Sequence, residues 1–151
     1  MDLKFSSLNK TPQKFFNILP QEWQEIIVPQ WKNYKNTASI FVFKEKGELI
    51  AGGIIFEKSH PNMTDFEKEY QFFYEENYFY IGFVWVIPEK RNHQLATKWL
   101  TKIKEENKNQ KYWLTVEDES LKYFYEKNAF KLVAESKNSE AKEWIFTFKP
   151  S

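Results

Sequence analysis

Apolar and polar positions change period repeatedly along the chain, and each change marks a predicted element. Residues 2–8 read as a first strand. Pro12 and Pro20 each stand where a helix begins, with Thr11 as an N-cap, and 21–34 reads as helical, with Pro29 expected to kink or divide it. Residues 39–43 and 49–56 are apolar and partly β-branched. The polar stretch 44–48 between them predicts a hairpin, and Gly52-Gly53 predicts a bulge or a close backbone approach. Residues 64–77 read as one helix, opened by Thr64 with Glu67 at the capping-box spacing. The nearly unbroken apolar run from Tyr78 to Ile87, stopped by Pro88, fits a central strand covered on both faces. After a polar turn at 89–94, Leu95, Ala96, Trp99, Leu100 and Ile103 recur with a period near 3.6, which predicts an amphipathic helix ending around 107–109. A strand at 112–116, a short helix at 120–127 and a hairpin of 130–135 with 144–148 complete the chain. The strand–helix–strand unit from 78 to 116 implies a parallel pair, whereas the hairpins imply antiparallel neighbours. The fold class is therefore α/β: a mixed, mostly antiparallel central sheet with helices on both faces.

Composition narrows the function classes. The 151 residues, 42% of them hydrophobic, suffice for one compact domain over 1–151. Lys plus Arg (22) nearly balances Asp plus Glu (21), so no broad basic field points to a nucleic-acid partner. The chain has no cysteine, which removes disulfides, thiolate zinc sites and thiolate nucleophiles. Its two histidines, His60 and His93, stand too isolated to suggest a metal site. The longest apolar run falls short of the roughly 18 residues of a membrane span, so a cytoplasmic location without membrane association is expected.

The junction between the long strand and the amphipathic helix carries the candidate chemistry. Amides in the first turn of a helix lack intrahelical acceptors and, with the helix dipole, form an anion site. Arg91, the sole arginine, stands at the lip of that turn, suited to a bidentate phosphate contact. The segment Val86-Ile87-Pro88-Glu89-Lys90-Arg91, followed two residues later by Gln94-Leu95-Ala96, resembles the acetyl-CoA-binding signature Gln/Arg-x-x-Gly-x-Gly/Ala of the GNAT N-acetyltransferases. Arg91 and Ala96 match, and Gln94 stands in place of the first glycine. Tyr123-Phe124-Tyr125-Glu126-Lys127-Asn128-Ala129-Phe130 resembles that family's late Phe/Leu-Tyr-Glu-Lys-x-Gly-Phe segment, with Ala129 in the glycine's place. The resemblance is strongest from Tyr78 to Phe130.

This resemblance implies a parallel strand pair splayed around the co-substrate acetyl-CoA. Pantetheine would pair with the backbone of Val84, Trp85 and Val86. The pyrophosphate would sit on amides of Asn92, His93, Gln94, Leu95, Ala96 and Thr97, beside Arg91. Asp118 occupies a place where relatives often carry an asparagine that touches the cofactor. A side chain at 94 suits close phosphate approach if its φ is negative and its Cβ turns away. An amine would attack the thioester directly, a backbone N–H near Val86 would polarise the carbonyl, and Tyr125 would protonate the departing thiolate. The amine's proton has no clear acceptor: Phe83 and Trp85 stand where some relatives place a glutamate, leaving Glu117, Asp118 or a water. The implied acceptor is a small-molecule or peptidyl amine, selected by segments 15–34 and 59–77, with no metal. A non-catalytic acyl-CoA-binding protein is the main alternative, and an aromatic-rich peptide- or nucleic-acid-binding module a third. The oligomeric state stays open, a homodimer included.

Overall fold

The computed structural model describes residues 2–138 and 140–151. Strands β1 (Leu3–Ser7), β2 (Ala38–Glu45), β3 (Glu48–Phe56), β4 (Tyr78–Val86), β5 (Lys111–Val116), β6 (Lys131–Glu135) and β7 (Trp144–Phe148) form one seven-stranded sheet. Its order is β1-β2-β3-β4-β5-β7-β6, with β4 and β5 parallel and the other neighbours antiparallel. The helices are α1 (Pro12–Phe16), α2 (Gln21–Tyr34), α3 (Asp65–Lys68), α4 (Phe72–Glu75), α5 (Leu95–Glu106) and α6 (Leu121–Lys127). Each sheet face builds its own core. Phe15, Phe16, Ile27 and Trp31 of α1 and α2 pack with Ile40, Ile54, Phe56 and Trp113, whereas Leu95, Trp99, Leu100 and Ile103 of α5 pack with Ile50, Ile81, Leu114 and Phe146.

Three local expectations change. Pro29 does not divide α2, which runs unbroken through it. Pro29 and its neighbour Val28 lie on the solvent side, where a carbonyl that loses its N–H partner is not forced into the core, and Gln30 Nε2 donates to the Ile26 carbonyl at 3.0 Å. The β2–β3 turn is also tighter than the polar stretch 44–48 suggested. Lys46 and Gly47 both take positive φ (52° and 83°), giving a two-residue turn that leaves Lys44 and Glu45 in the ladder. The predicted helix at 64–77 is two single turns. The capping box forms in full, but the amides of Tyr70 and Gln71 bond three residues back, to Glu67 and Lys68, which tightens the chain and ends α3.

Gly52-Gly53 fulfils both halves of its expectation. The β3–β4 register shifts between Gly52 and Ile54. A Cβ at Gly53 would come within 2.6 Å of the Trp99 ring, and one at Gly52 within 2.7 Å of Phe15. Opposite Gly53, β4 carries an extra residue: Gly52 faces Trp85 and Ile54 faces Gly82, so Phe83 and Val84 together oppose one glycine. Phe83 takes φ +56°, a left-handed conformation costly for an aromatic residue. Here the sheet opens. β4 and β5 pair through Tyr78–Lys111, Phe79–Tyr112 and Tyr80–Trp113, and no further. Beyond that fork, Gly82 to Val86 and Leu114 to Val116 run on without each other, the splayed parallel pair expected from the family resemblance.

Candidate active site

The mouth of the fork is fixed from several sides. Trp99 on α5 donates from Nε1 to the Phe41 carbonyl at 2.9 Å, holding the helix against the sheet through the space that Gly53 leaves. Lys90, in the 3₁₀ turn Pro88–Lys90, forms an ion pair with Glu45 at 2.6 Å, and the Ile87 amide bonds the Ile50 carbonyl at 3.0 Å. The α5 N-terminus is thereby placed at the open end of the gap. Its cap residue, Gln94, has φ +59°, not the negative φ under which a side chain was expected to be tolerated, and it makes no side-chain cap hydrogen bond. The local backbone therefore keeps the left-handed conformation that a glycine would adopt, at a strain cost on the order of 1 kcal/mol. The Lys98 amide is the donor that reaches the Gln94 carbonyl, so the amides of Leu95, Ala96 and Thr97 precede the first intrahelical bond.

The expected site residues separate by role. Val84 and Val86 pack towards the α5 core, whereas Trp85 packs towards α2. Arg91, Asn92, His93 and Gln94 are exposed around the turn, Leu95 is buried as a core residue, and Ala96 and Thr97 are half-buried. Arg91 folds back along the end of β4: its Nε donates to the Val86 carbonyl at 3.1 Å and its guanidinium lies 4.6 Å from the centre of the Trp85 ring. Asp118 is exposed, and its carboxylate accepts from the Ser120 amide (3.0 Å) and hydroxyl (2.8 Å) just before α6, which holds its pKa below the usual carboxylate value. The second motif meets the first where Asn128 Nδ2 approaches Thr97 Oγ1 at 3.5 Å.

That second motif is a helix stop. Ala129 takes φ +71°, the Phe130 amide bonds the Tyr125 carbonyl at 3.0 Å, and the Ala129 amide bonds that of Glu126 at 3.2 Å. These two bonds define a Schellman motif whose left-handed position is usually glycine. Its hydrophobic contact is Tyr125 against Phe130, with ring centres 5.6 Å apart, so the stop fixes the tyrosine. Tyr125 is 8% exposed, and burial pushes its phenol up to about 12.

On the α2 face of the fork lies a polar cluster that sequence reasoning did not assemble. Glu67, 5% exposed, receives three donors at Oε2: His60 Nε2 (3.1 Å), the Tyr80 hydroxyl (2.7 Å) and the Thr115 hydroxyl (2.7 Å). Its Oε1 accepts the Thr64 amide at 3.0 Å. Burial alone would raise the Glu67 carboxyl, but hydrogen bonding and charge at His60, with help from Thr115 and Tyr80, outweigh it and hold it at about 2. His60 stacks on the Tyr80 ring with centres 3.5 Å apart, and its Nδ1 lies 2.6 Å from the Tyr74 hydroxyl. The Thr64–Glu67 spacing announced a helix cap, which is real, but nothing in the linear pattern linked Glu67 to His60 or to hydroxyls on β4 and β5. Glu117 and Asp118 are exposed, whereas Glu143, raised by burial, accepts the Thr64 hydroxyl at 2.7 Å.

Aromatic rings continue from this cluster along the α2 face. Phe56, Phe83, Trp23 and Trp85 succeed one another at centroid distances of 5.5–6.2 Å from His60 outward. The indole N–H groups of Trp85 and Trp113 are fully buried and have no acceptor among the described residues. Two surface grooves, of about 540 and 520 Å³, lie along α5 and beside Thr147; neither is lined by Glu67, His60 or Tyr125. Among the described residues, no group of three or more potential ligands could hold a metal, and no helix is long and apolar enough to cross a membrane.

The sequence matches the family model described as the acetyltransferase (GNAT) family over residues 7–130. No curated protein matches it significantly. Among solved structures, a GNAT-family protein from Desulfovibrio desulfuricans superposes with a TM-score of 0.69 at 10% identity, over 98% of this chain and 99% of the other. A GNAT acetyltransferase from Elizabethkingia anophelis with acetyl-CoA bound gives 0.65 at 12%, over 97% of each chain. The PaiA N-acetyltransferase from Thermoplasma acidophilum, in complex with coenzyme A, gives 0.63 at 13%, over 99% of each. At these identities the structural likeness speaks to the fold, and the family model extends the assignment to the sequence itself. The forked sheet, the left-handed turn ahead of α5 and the late helix stop are thus parts of a chain that belongs to the GNAT acetyltransferase family.

Proposed function

We propose that this protein transfers an acetyl group from acetyl-CoA to an amine by direct attack on the thioester. The observation that carries this reading is the fork: strand pairing ends at Tyr80–Trp113, and the gap opens beside an α5 N-terminus with no side-chain cap. A strand-like pantetheine would lie along Val84, Trp85 and Val86. The diphosphate would rest on amides from Asn92 to Thr97, favoured by their unsatisfied N–H groups and the helix dipole. Arg91 would leave the Val86 carbonyl for a phosphate oxygen, exposing the strand edge that it now covers. Asp118 would flank the coenzyme. As the amine nitrogen bonds the carbonyl carbon and the C–S bond breaks, Tyr125 would give its proton to the sulfur. Its raised pKa keeps that proton in place at neutral pH.

The acceptor would enter from the α2 face, because the opposite face is filled by α5. The ring series there suits an amine with an apolar or aromatic body. A single domain and a cytoplasmic setting belong to the same proposal. Arg91 on the Val86 carbonyl favours a second reading, acyl-CoA binding without turnover. Incubation with acetyl-CoA and a panel of alkyl, aryl and peptidyl amines, following free thiol, separates the two. Turnover supports the transferase, and a coenzyme-induced rise in Tm without turnover supports the binder.

A further inference from the structure

The acetyltransferase reading, on which this inference rests, leaves one proton unassigned. An amine that becomes an amide must shed a proton, and the residues of β4 that face α2 beyond the fork, Phe83 and Trp85, have no group to take it. We propose that the Tyr74 hydroxyl receives the acceptor amine's proton and relays its own to His60, which Glu67 orients from behind.

The hydrogen-bond pattern gives the direction of the relay. An ionised carboxylate only accepts, so the contact between Glu67 Oε2 and His60 requires a proton on Nε2, whether the ring is neutral or charged. The nitrogen free to change state is Nδ1, which faces the Tyr74 hydroxyl at 2.6 Å. The ring cannot turn to exchange its nitrogens: Tyr80 stacks on it with an interplanar angle of 4°, and Trp113 meets it edge-on at 5.5 Å. Glu67 is itself held by Tyr80 and Thr115, which lie on the two sides of the fork. The relay is therefore registered to the gap in which the thioester would lie. His60 and Glu67 are buried, whereas Tyr74 is half-buried, which makes it the outermost member of the chain. Burial, with the Glu67 charge and Tyr34 nearby, pushes its phenol well above the ordinary value, so it gives up its proton only as it takes another.

The step balances. The amine nitrogen forms a bond to the carbonyl carbon and the C–S bond breaks. The nitrogen's proton passes to the Tyr74 oxygen as the tyrosine's own proton moves to His60 Nδ1, giving an imidazolium opposite the Glu67 carboxylate. The sulfur takes its proton from Tyr125, and His60 and Tyr125 are reset by exchange with solvent. Tyr74 is then a catalytic residue, and His60 and Glu67 are positioning residues that act through it.

The test compares phenethylamine with its β,β-difluoro analogue, which is similar in size but far less basic, using the wild-type protein, Tyr74→Phe and His60→Gln. The expected result is a fall in kcat of about 100-fold or more with phenethylamine in both variants, a clearly smaller fall with the fluorinated amine, and an unchanged KM for acetyl-CoA. Equal losses with both amines, or no loss in Tyr74→Phe, would overturn the relay while leaving the transferase reading intact. If His60→Gln fails to fold, Tyr74→Phe at its half-buried position decides alone. If the wild-type protein acetylates neither these amines nor the broader panel, yet acetyl-CoA raises its Tm, the transferase reading falls and the relay with it.

Discussion

Tyr80 closes the last β4–β5 pair and Thr115 lies two residues beyond its partner Trp113, yet their hydroxyls donate to the same oxygen of Glu67, each at 2.7 Å. One carboxylate from a short helical segment thus ties β4 to β5 at the point where the backbone pairing ends. Hydrogen bonds to a charged group contribute about 1.5–3 kcal/mol each. Thr115→Val is expected to cost about 2 kcal/mol in urea unfolding and Glu67→Ala about 3–5 kcal/mol, because the latter strands the buried His60 and Tyr80 together with the half-buried Thr115. A Tyr80→Phe/Thr115→Val double variant is expected to depart from additivity, since both donors share one acceptor.

The same carboxylate sets an acid limit on stability. Its folded pKa, about 2, lies below the ordinary 4.5, so its contribution is complete above pH 4.5 and is lost as pH falls through about 2. The loss amounts to roughly 3 kcal/mol. Urea unfolding between pH 6 and 2 should show it, and Glu67→Gln should flatten that part of the profile.

Gln94 and Ala129 each hold a left-handed backbone that glycine adopts freely. Gln94→Gly and Ala129→Gly are each expected to raise the unfolding free energy by about 1 kcal/mol, relief of φ strain exceeding the entropy that glycine adds to the unfolded chain. Gln94→Gly should also tighten coenzyme binding, seen as a larger Tm rise with CoA, whereas Ala129→Gly should leave that rise unchanged.

Gly53→Ala would drive a Cβ to 2.6 Å from Trp99. An expected loss of about 1–3 kcal/mol would appear in thermal unfolding, together with weaker CoA binding as α5 is pushed from the sheet.

Tyr125→Phe keeps the ring packing against Phe130 and Phe146 but removes the proton proposed for the thiolate. Turnover is expected to fall by about 100-fold with little change in Tm. Because burial pushes this phenol up to about 12, the wild-type rate should show no loss attributable to Tyr125 between pH 7 and 10.

Local pattern carried much of this fold. The apolar run at Tyr78 to Ile87, the helical period from Leu95 to Ile103 and the Thr64–Glu67 cap are short-range signals, and each appears in the structure. The failures were also local in cause: Pro29 lies on a wet helix face, and the two-residue turn needed a positive φ at Lys46 that no glycine announced. The segment proposed to hold the coenzyme was legible as structure because it is a contiguous strand–turn–helix. The polar cluster was not, since His60, Glu67, Tyr80 and Thr115 come from four separate segments that meet only after the sheet has formed.

The extra residue at Phe83 changes the parity of β4. Before it, even-numbered Tyr78 and Tyr80 look towards α2; after it, odd-numbered Phe83 and Trp85 do, and Val84 and Val86 look the other way. Two wall-forming aromatics thus owe their orientation to one inserted position. An alignment that carries the upstream alternation through Gly82 would assign each later side chain of this strand to the wrong face of the sheet, exchanging the α2 layer for the α5 layer.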